Sequence, residues 1–181
     1  MILITGGARA GKSAFALRLA SEYETHRCGK VCFIATAEAL DDEMQARILS
    51  HRAERPSHWL TIEETRQLDQ ALIKASDADI VIVDCLTLFV SNWLMAVSRE
   101  SASDEVMRVV ASFLKLATNT GQTIIFVTNE VGMGLVPETS LGRIFRDILG
   151  RVNQRLAQTA SQVYLLVAGL PLQLKPTGKS K

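Results

Sequence analysis

Short apolar segments rich in β-branched residues alternate along this chain with longer segments whose apolar residues recur every three or four positions. The short segments span residues 1–5, 31–36, 80–84, 123–128 and 162–167. Continuously apolar strands are typical of a parallel sheet with helices on both faces. The pattern therefore predicts an α/β domain of three layers with a mostly parallel sheet.

Segments with helical periodicity lie between the predicted strands. We expect helices over residues 12–23, 41–54, 66–76, 86–97, 102–119 and 141–160. The last helix has the clearest apolar stripe, which runs from Leu141 to Leu156 at three- and four-residue spacing. No internal repeat or low-complexity segment interrupts the series. Residues 1–175 are therefore predicted to form one domain, followed by a flexible tail at 176–181.

The composition narrows the function classes. The chain has 181 residues, of which 48% are hydrophobic and 22% charged, as in ordinary globular proteins. Its formal net charge of +1 lacks the basic excess of a domain that grips nucleic acid through phosphates. No apolar run approaches the roughly 18 residues of a membrane span, and the first residues lack a signal peptide's basic region. We expect a cytoplasmic protein with no nucleic-acid partner and no membrane span.

A glycine-rich segment follows the first predicted strand and opens the first predicted helix. It reads Gly6, Gly7, Ala8, Arg9, Ala10, Gly11, Lys12 and Ser13, which fits the pattern G-x-x-x-x-G-K-[ST]. Glycines let the backbone curl so that several N–H groups point at phosphate oxygens, beside the positive end of the helix dipole. Lys12 is predicted to reach the β- and γ-phosphates of a nucleotide, and Ser13 to ligate Mg²⁺. A plain glycine-rich turn with a surface lysine is disfavoured because the full pattern rarely arises by chance.

An acidic residue ends the third predicted strand. Asp84 follows four apolar residues and so lies at the carboxyl end of its strand, where ligands of open α/β sheets gather. By itself such an aspartate is usually a turn or cap residue. Beside a phosphate-binding loop, however, it is predicted to hold the metal ion or its water.

A histidine lies on the second predicted helix. Arg47, His51 and Arg55 are four residues apart, so they share a helical face suited to meeting phosphates. His51 is also in line with Met44 and Ile48, as a histidine at the border of the core would be. From the residues alone, the second interpretation is favoured, because an isolated histidine is weak evidence of a site.

Several further motifs extend over most of the chain. They are Arg47-Ile-x-x-His51-Arg-x-x-Arg55-Pro56-x-x-Trp59, Asp84-Cys-Leu-Thr-Leu88 with Ser91-Asn92, Val127-Thr-Asn-Glu130-Val-Gly-Met-Gly134-x-Val-Pro137-Glu138, and Arg143-x-Phe-Arg-Asp-x-x-Gly-Arg-Val-Asn-Gln154. Together with the glycine-rich loop they resemble the bifunctional adenosylcobinamide kinase/adenosylcobinamide-phosphate guanylyltransferase family of cobalamin biosynthesis. The resemblance implies a P-loop NTPase fold of the RecA-like type. It also implies two reactions: phosphorylation of adenosylcobinamide by ATP or GTP, and transfer of GMP from GTP to adenosylcobinamide phosphate.

The resemblance also implies roles for individual residues. It implies a covalently guanylylated histidine at His51, whose neighbour is Ser50 where some members have a second histidine. It implies a homotrimer with active sites near subunit interfaces. Matched position by position, the implied nucleotide contacts are Gly6 to Ser13, Ile34, Ala35, Thr36, Arg52, Ala53, Glu54, Arg55, Glu63 and Asp84.

The residue chemistry is compatible with both reactions. A neutral imidazole at His51 can attack the α-phosphorus of GTP while Mg²⁺ and Lys12 stabilise the departing pyrophosphate. Arg52 and Arg55 can neutralise charge on the phosphoryl oxygens. Transfer of a γ-phosphoryl group requires mainly positioning, Mg²⁺ and Lys12, so one nucleotide site can serve both steps.

Two other functions fit part of the sequence. One is a P-loop kinase of another small metabolite, in which His51 is structural. The other is a nucleotide-binding switch that signals through partners. The loop over residues 129–140 is predicted to be a lid or a subunit contact, although an ordinary connection with turn residues also fits it.

Overall fold

One seven-stranded sheet runs through the computed structural model of the chain, which describes residues 1–39 and 41–175. The strands are β1 (Ile2–Gly6), β2 (Val31–Ala35), β3 (Leu60–Glu63), β4 (Ile80–Asp84), β5 (Thr123–Val127), β6 (Gln162–Val167) and β7 (Leu170–Lys175). Their order is β3-β2-β4-β5-β1-β6-β7, and only the β6–β7 pair is antiparallel. The predicted α/β fold with a mostly parallel sheet is confirmed. The predicted tail at 176–181 lies outside the described residues.

Helices connect these strands close to the predicted positions. They are α1 (Lys12–Arg27), α2 (Asp42–Ala53), α3 (Leu68–Lys74), α4 (Leu86–Ala96), α5 (Arg99–Ala117) and α6 (Ser140–Thr159). Local capping sets their ends: the Asp41 side chain accepts from the Met44 N–H at the start of α2, and Cys28 ends α1 in the left-handed region. In the described part of the chain, no helix is long and apolar enough to cross a bilayer.

Two of the strands, β3 and β7, were not predicted from the sequence. Both lie at edges of the sheet and have mostly exposed side chains, so neither forms a buried apolar run. Pro171 interrupts the pattern of β7, and a proline is tolerated there because an edge strand has unpaired N–H positions. The edge strands were therefore missed, because a continuous apolar run identifies only strands that are buried on both faces.

The pleat of the sheet sends alternate side chains into two apolar clusters. Leu3, Val81 and Phe126 pack with α3, α4, α5 and α6 on one face, whereas Ile4, Ile82 and Val127 pack with α1 on the other. This arrangement supplies the predicted three layers. Asp84 continues the row of Ile82, so its side chain belongs to the face that carries α1.

Strand order also sets the layout of the carboxyl edge. β5 lies between β1, which leads into the glycine-rich loop, and β4, which ends at Asp84. Ile4 and Asp84 are both register partners of Val127 on that intervening strand. The loop, the end of β5 and Asp84 are consequently neighbours along one edge of the sheet.

Candidate active site

The glycine-rich loop joins β1 to α1 at this edge, and two of its glycines are required by geometry. A Cβ on Gly6 would lie 2.4 Å from the Leu166 carbonyl oxygen of β6. Gly11 has a φ of 86° and lies against the β6–β7 turn, where the Gly169 N–H donates to the Ala10 carbonyl at 3.1 Å. The β6–β7 hairpin therefore supports the loop from behind.

Lys12 folds back across the loop that precedes it. Its ammonium nitrogen donates to the Gly7 carbonyl oxygen at 2.6 Å, and the residue is buried. The positive charge is therefore held at the Gly6–Gly7 end of the loop rather than in solvent. A lysine held in this way can contact the outer phosphates of a nucleotide seated in the loop.

Asp84 connects the loop to α2 electrostatically. Burial raises the pKa of its carboxyl above the ordinary value, while a hydrogen bond with the Ser13 side chain and the charges of His51, Arg55 and Lys12 act in the opposite direction. The charges of Lys12 in the P-loop and of His51 and Arg55 at the end of α2 therefore all act on this carboxyl. The structure brings together these predicted site residues from three separate parts of the chain.

A hydroxyl and a carboxylate oxygen meet where Ser13 contacts Asp84. Both are hard oxygen donors of the kind that Mg²⁺ prefers, so the pair fits the predicted metal role. Among the described residues, no group of three or more His, Cys, Asp and Glu side chains could hold a metal ion.

His51 lies half-exposed near the end of α2. Its Nδ1 atom is 3.6 Å from a carboxylate oxygen of Glu54, one turn further along the chain. A carboxylate beside Nδ1 favours the tautomer that carries its proton there, which leaves the lone pair on Nε2. In that tautomer Nε2 is the ring nitrogen that can act as a nucleophile.

Arg55 follows α2 and is held by an aromatic ring. Its guanidinium carbon lies 3.6 Å from the centroid of the Phe33 ring, and within the described chain its buried Nε has no hydrogen-bond partner. Burial lowers the pKa of Arg55, and the Asp84 carboxylate partly opposes that shift. Arg52 lies 3.9 Å from the carboxylate of Glu63, and both of these side chains are exposed. The Arg47 side chain, predicted on the same face as His51, lies outside what the structure describes.

The turn after β2 is held by hydrogen bonds of Thr36, one of the predicted nucleotide contacts, and of Asn92, which occurs in a sequence motif but had no predicted role. The Thr36 hydroxyl donates to the Cys85 carbonyl at 2.7 Å and accepts from the Cys85 N–H at 2.8 Å. Asn92 of α4 donates to the carbonyls of Thr36, at 2.8 Å, and Thr65, at 3.1 Å. A sequence signal for Asn92 existed, because it has the one amide side chain in a mainly apolar helix whose other polar residues are Thr87 and Ser91.

The remaining predicted contacts differ in accessibility. Ile34, Ala35 and Thr36 are buried, so a nucleotide can reach that turn mainly through its backbone. Ala8 and Arg9 are exposed on the loop, and Ala53 and Glu54 are exposed at the end of α2. Glu63 ends the edge strand β3 beside Ala35, its register partner.

A phosphate-binding loop on β1, an acid at the end of β4 and one strand between them define the class of P-loop nucleotide-binding proteins. Within that class, residues 2–174 match the family model described as cobinamide kinase / cobinamide phosphate guanyltransferase. The chain belongs to this family. The expectation of a transferase of cobalamin biosynthesis, with kinase and guanylyltransferase activities, is thereby confirmed.

Relatives with matching names align with nearly the full length of the chain. The chain is 43% identical over 190 residues to the bifunctional adenosylcobalamin biosynthesis protein CobU of Salmonella typhimurium, covering 97% of this chain and 99% of that protein. It is 41% identical over 186 residues to the protein of the same name from Escherichia coli, with the same coverage. It is 41% identical over 174 residues to the corresponding protein CobP of Pseudomonas aeruginosa, covering 96% of each.

Proposed function

We propose that one nucleotide site, formed by the P-loop and the end of α2, carries out both reactions on adenosylcobinamide, with His51 as the guanylylated residue. The observation that carries this proposal is the position of Asp84, which ends β4 one strand away from the P-loop strand, on the face of the sheet that carries α1. The charges of Lys12, His51 and Arg55 all act on the pKa of its carboxyl. A carboxylate that interacts with both the P-loop and the end of α2 supports a single nucleotide-binding site, called the nucleotide seat below. Two separate nucleotide sites would not require Asp84 to interact with both segments.

In the kinase step, the hydroxyl oxygen of adenosylcobinamide attacks the γ-phosphorus of ATP or GTP. The bond to the β–γ bridging oxygen breaks, the nucleoside diphosphate leaves and the hydroxyl proton passes to solvent. The P-loop N–H groups and Lys12 hold the phosphate chain and stabilise the charge that builds on the leaving oxygen. His51 has no required role in this step.

In the guanylyl step, Nε2 of His51 attacks the α-phosphorus of GTP and pyrophosphate leaves. The resulting P–N bond then breaks when a phosphate oxygen of adenosylcobinamide phosphate attacks the same phosphorus, which regenerates the imidazole. Glu54 holds the proton on Nδ1 during the attack, and Arg55 neutralises charge on the α-phosphoryl oxygens.

Ser13 and Asp84 would hold a Mg²⁺ ion bound with the nucleotide, and such an ion would supply charge neutralisation at the phosphate oxygens.

The covalent intermediate gives the direct experiment. The protein incubated with Mg²⁺ and GTP labelled at the α-phosphate is expected to acquire label that acid removes and alkali leaves in place, as a phosphoramidate does. His51→Ala should abolish labelling but keep phosphorylation of adenosylcobinamide measurable. His26→Ala, which replaces an exposed histidine of α1, is the matched control and should label like the wild type. Undiminished labelling of His51→Ala would overturn the assignment.

We also propose a homotrimer whose contacts include the loop before α6 and strand β7. Met133, Leu135 and Val136 on the loop are largely exposed, and Leu170, Leu172 and Leu174 on β7 are likewise exposed. The loop is tied down, because the Arg143 guanidinium donates to the carbonyls of Pro137, at 2.9 Å, and Glu138, at 2.7 Å. An anchored apolar loop supports a subunit contact better than a lid that opens and closes.

A further inference from the structure

Asn129 comes just after β5, the strand between the P-loop strand and the Asp84 strand. The parallel ladder between β5 and β1 continues past the end of β5. The Thr128 N–H donates to the Ile4 carbonyl at 3.0 Å, and two residues later the Glu130 N–H donates to the Gly6 carbonyl at 3.0 Å. Asn129 therefore lies opposite Gly6, the first residue of the P-loop.

The pleat determines which side of the sheet Asn129 faces. Val127 packs in the cluster that contains α1, while the Thr128 hydroxyl donates to Asn153 of α6 on the opposite face, at 2.8 Å. Since the ladder continues, Asn129 returns to the face of Val127. This is the face on which Asp84 lies and from which α1 begins at Lys12.

Two helices grip the backbone of Asn129. Its N–H donates to the Thr87 hydroxyl of α4 at 2.9 Å, and its carbonyl accepts from the Asn153 amide of α6 at 3.0 Å. By contrast, within the described chain the side-chain amide of Asn129 forms no hydrogen bond. A polar side chain on an immobilised backbone, with its own donors uncommitted, is preorganised for a ligand.

The neighbouring Lys12 indicates which part of a nucleotide that ligand would be. Its ammonium is held at the Gly7 carbonyl, at the same end of the loop that Asn129 faces. A P-loop lysine contacts the β- and γ-phosphates. The Gly6–Gly7 end is therefore the end for the outer phosphates, away from the α-phosphate that guanylyl transfer uses.

We propose that the side-chain amide of Asn129 donates a hydrogen bond to the γ-phosphoryl oxygens and is a catalytic residue of the kinase step but not of guanylyl transfer. As the γ-phosphoryl group moves from the nucleotide to the acceptor hydroxyl, negative charge on its oxygens is met by the amide N–H between Lys12 and Asp84. The inference rests on the nucleotide seat proposed above. It adds the Asn129 amide as a residue that one of the two reactions at that seat requires and the other does not.

The test compares the two reactions in the same variants. Asn129→Ala removes the donor, and Asn129→Asp keeps the shape but presents an acceptor. Phosphorylation of adenosylcobinamide is measured for kcat and for the KM of ATP, and labelling of His51 by α-labelled GTP is measured in parallel. We expect kcat of phosphorylation to fall roughly 10²-fold in both variants, and His51 labelling to stay within about threefold of wild type.

Asn119→Ala, at an exposed position after α5, is the matched control and should leave both reactions unchanged. A fall in phosphorylation of less than about tenfold in either variant overturns the proposal, and so does an equal fall in the two reactions. Should Asn129→Ala not fold, Asn129→Asp carries the same comparison. Lys12→Ala tests the seat separately, since wild-type phosphorylation in that variant would refute the seat and not only the role of Asn129.

Discussion

The guanidinium carbon of Arg55 lies 3.6 Å from the ring centroid of Phe33, so the arginine directly after the His51 helix is stacked on a strand of the central sheet. The planar guanidinium is delocalised and can stack on the ring while its edge still donates to phosphate oxygens. The stack therefore fixes the position of Arg55, a proposed phosphate-binding residue, against the buried core.

Arg55→Lys is expected to slow labelling of His51 by GTP roughly tenfold or more, because a lysine keeps the charge but neither stacks in this way nor presents the fork of donors. Single-turnover labelling measures the effect. Arg18→Lys is the matched control, since Arg18 lies over Phe15 at 5.1 Å on exposed α1 surface. Equal slowing in the two variants would contradict a specific role for Arg55.

Glu24 of α1 contacts His58 and Trp59, which lie between Arg55 and β3. Its carboxylate accepts from the buried indole N–H of Trp59, at 3.2 and 3.1 Å, and lies 2.8 Å from Nε2 of His58. Glu24→Ala leaves that N–H unpaired and should lower the free energy of unfolding by about 1–3 kcal/mol. Urea denaturation measures the change.

Glu22→Ala, on the same helix, is the control for Glu24. Glu22 is exposed, and among the described residues its ion pair is with Arg18, at 3.9 Å, so its loss should cost less than about 1 kcal/mol. A destabilisation by Glu22→Ala as large as that by Glu24→Ala would show that helix α1 itself, and not the contact with Trp59, is responsible.

Asp84→Asn should raise stability at neutral pH while abolishing Mg²⁺-dependent nucleotide turnover. Because burial raises the pKa of Asp84 in the folded state, the folded protein binds this proton more tightly than the unfolded chain. The ionised carboxylate therefore destabilises the fold above its folded pKa. That penalty shrinks as pH falls toward the pKa of an exposed aspartate.

Thermal unfolding across a pH series tests the Asp84 prediction. The gain in Tm from Asp84→Asn should be largest near pH 7 and disappear in acid. Asp104→Asn, at an exposed position of α5, should show no such pH dependence. A loss of stability at pH 7 in Asp84→Asn would mean that the attraction of Lys12, His51 and Arg55 outweighs burial.

Leu172→Lys is expected to weaken the proposed trimer, because it places a charge on the exposed apolar row of β7. Light scattering on the eluting protein should show a lower mass at micromolar concentration. Ile73→Lys is the control, because Ile73 is comparably exposed on α3 but belongs to neither proposed contact. A wild-type protein that runs as a monomer, or a mass unchanged by Leu172→Lys, would contradict the proposed interface.

Sequence patterns revealed those parts of the fold and the site whose signals are local. The buried strands stood out because both sides of a central parallel strand must be apolar. The P-loop was recognisable because its glycines, lysine and serine occur at fixed intervals within one short segment of the sequence. Edge strands β3 and β7, with exposed side chains, carried no comparable pattern.

The function of His51 could not be predicted from the spacing of nearby residues alone. Its spacing with Arg47 and Arg55 fitted a phosphate-facing stripe, but its alignment with Met44 and Ile48 favoured a core border. Only motifs over the whole chain pointed to the first interpretation. The structure adds the Glu54 contact at Nδ1 and the electrostatic link to Asp84. The Glu54 contact is an i, i+3 pair that helical spacing could have indicated. The link to Asp84 joins distant parts of the chain, and no periodicity predicts it.

By itself the sequence determined the α/β class, the phosphate-binding loop, the acid at the end of β4 and the family, because each depends on residues close together in the chain or on motifs in a set order. Tertiary structure decided that β5 inserts between β1 and β4, which places Asn129 opposite Gly6 on the face of Lys12 and Asp84. The physical reason is that strand order and pleat are global properties. They arise when helices cover both faces of the sheet, and residues more than a hundred positions apart in sequence become neighbours only then.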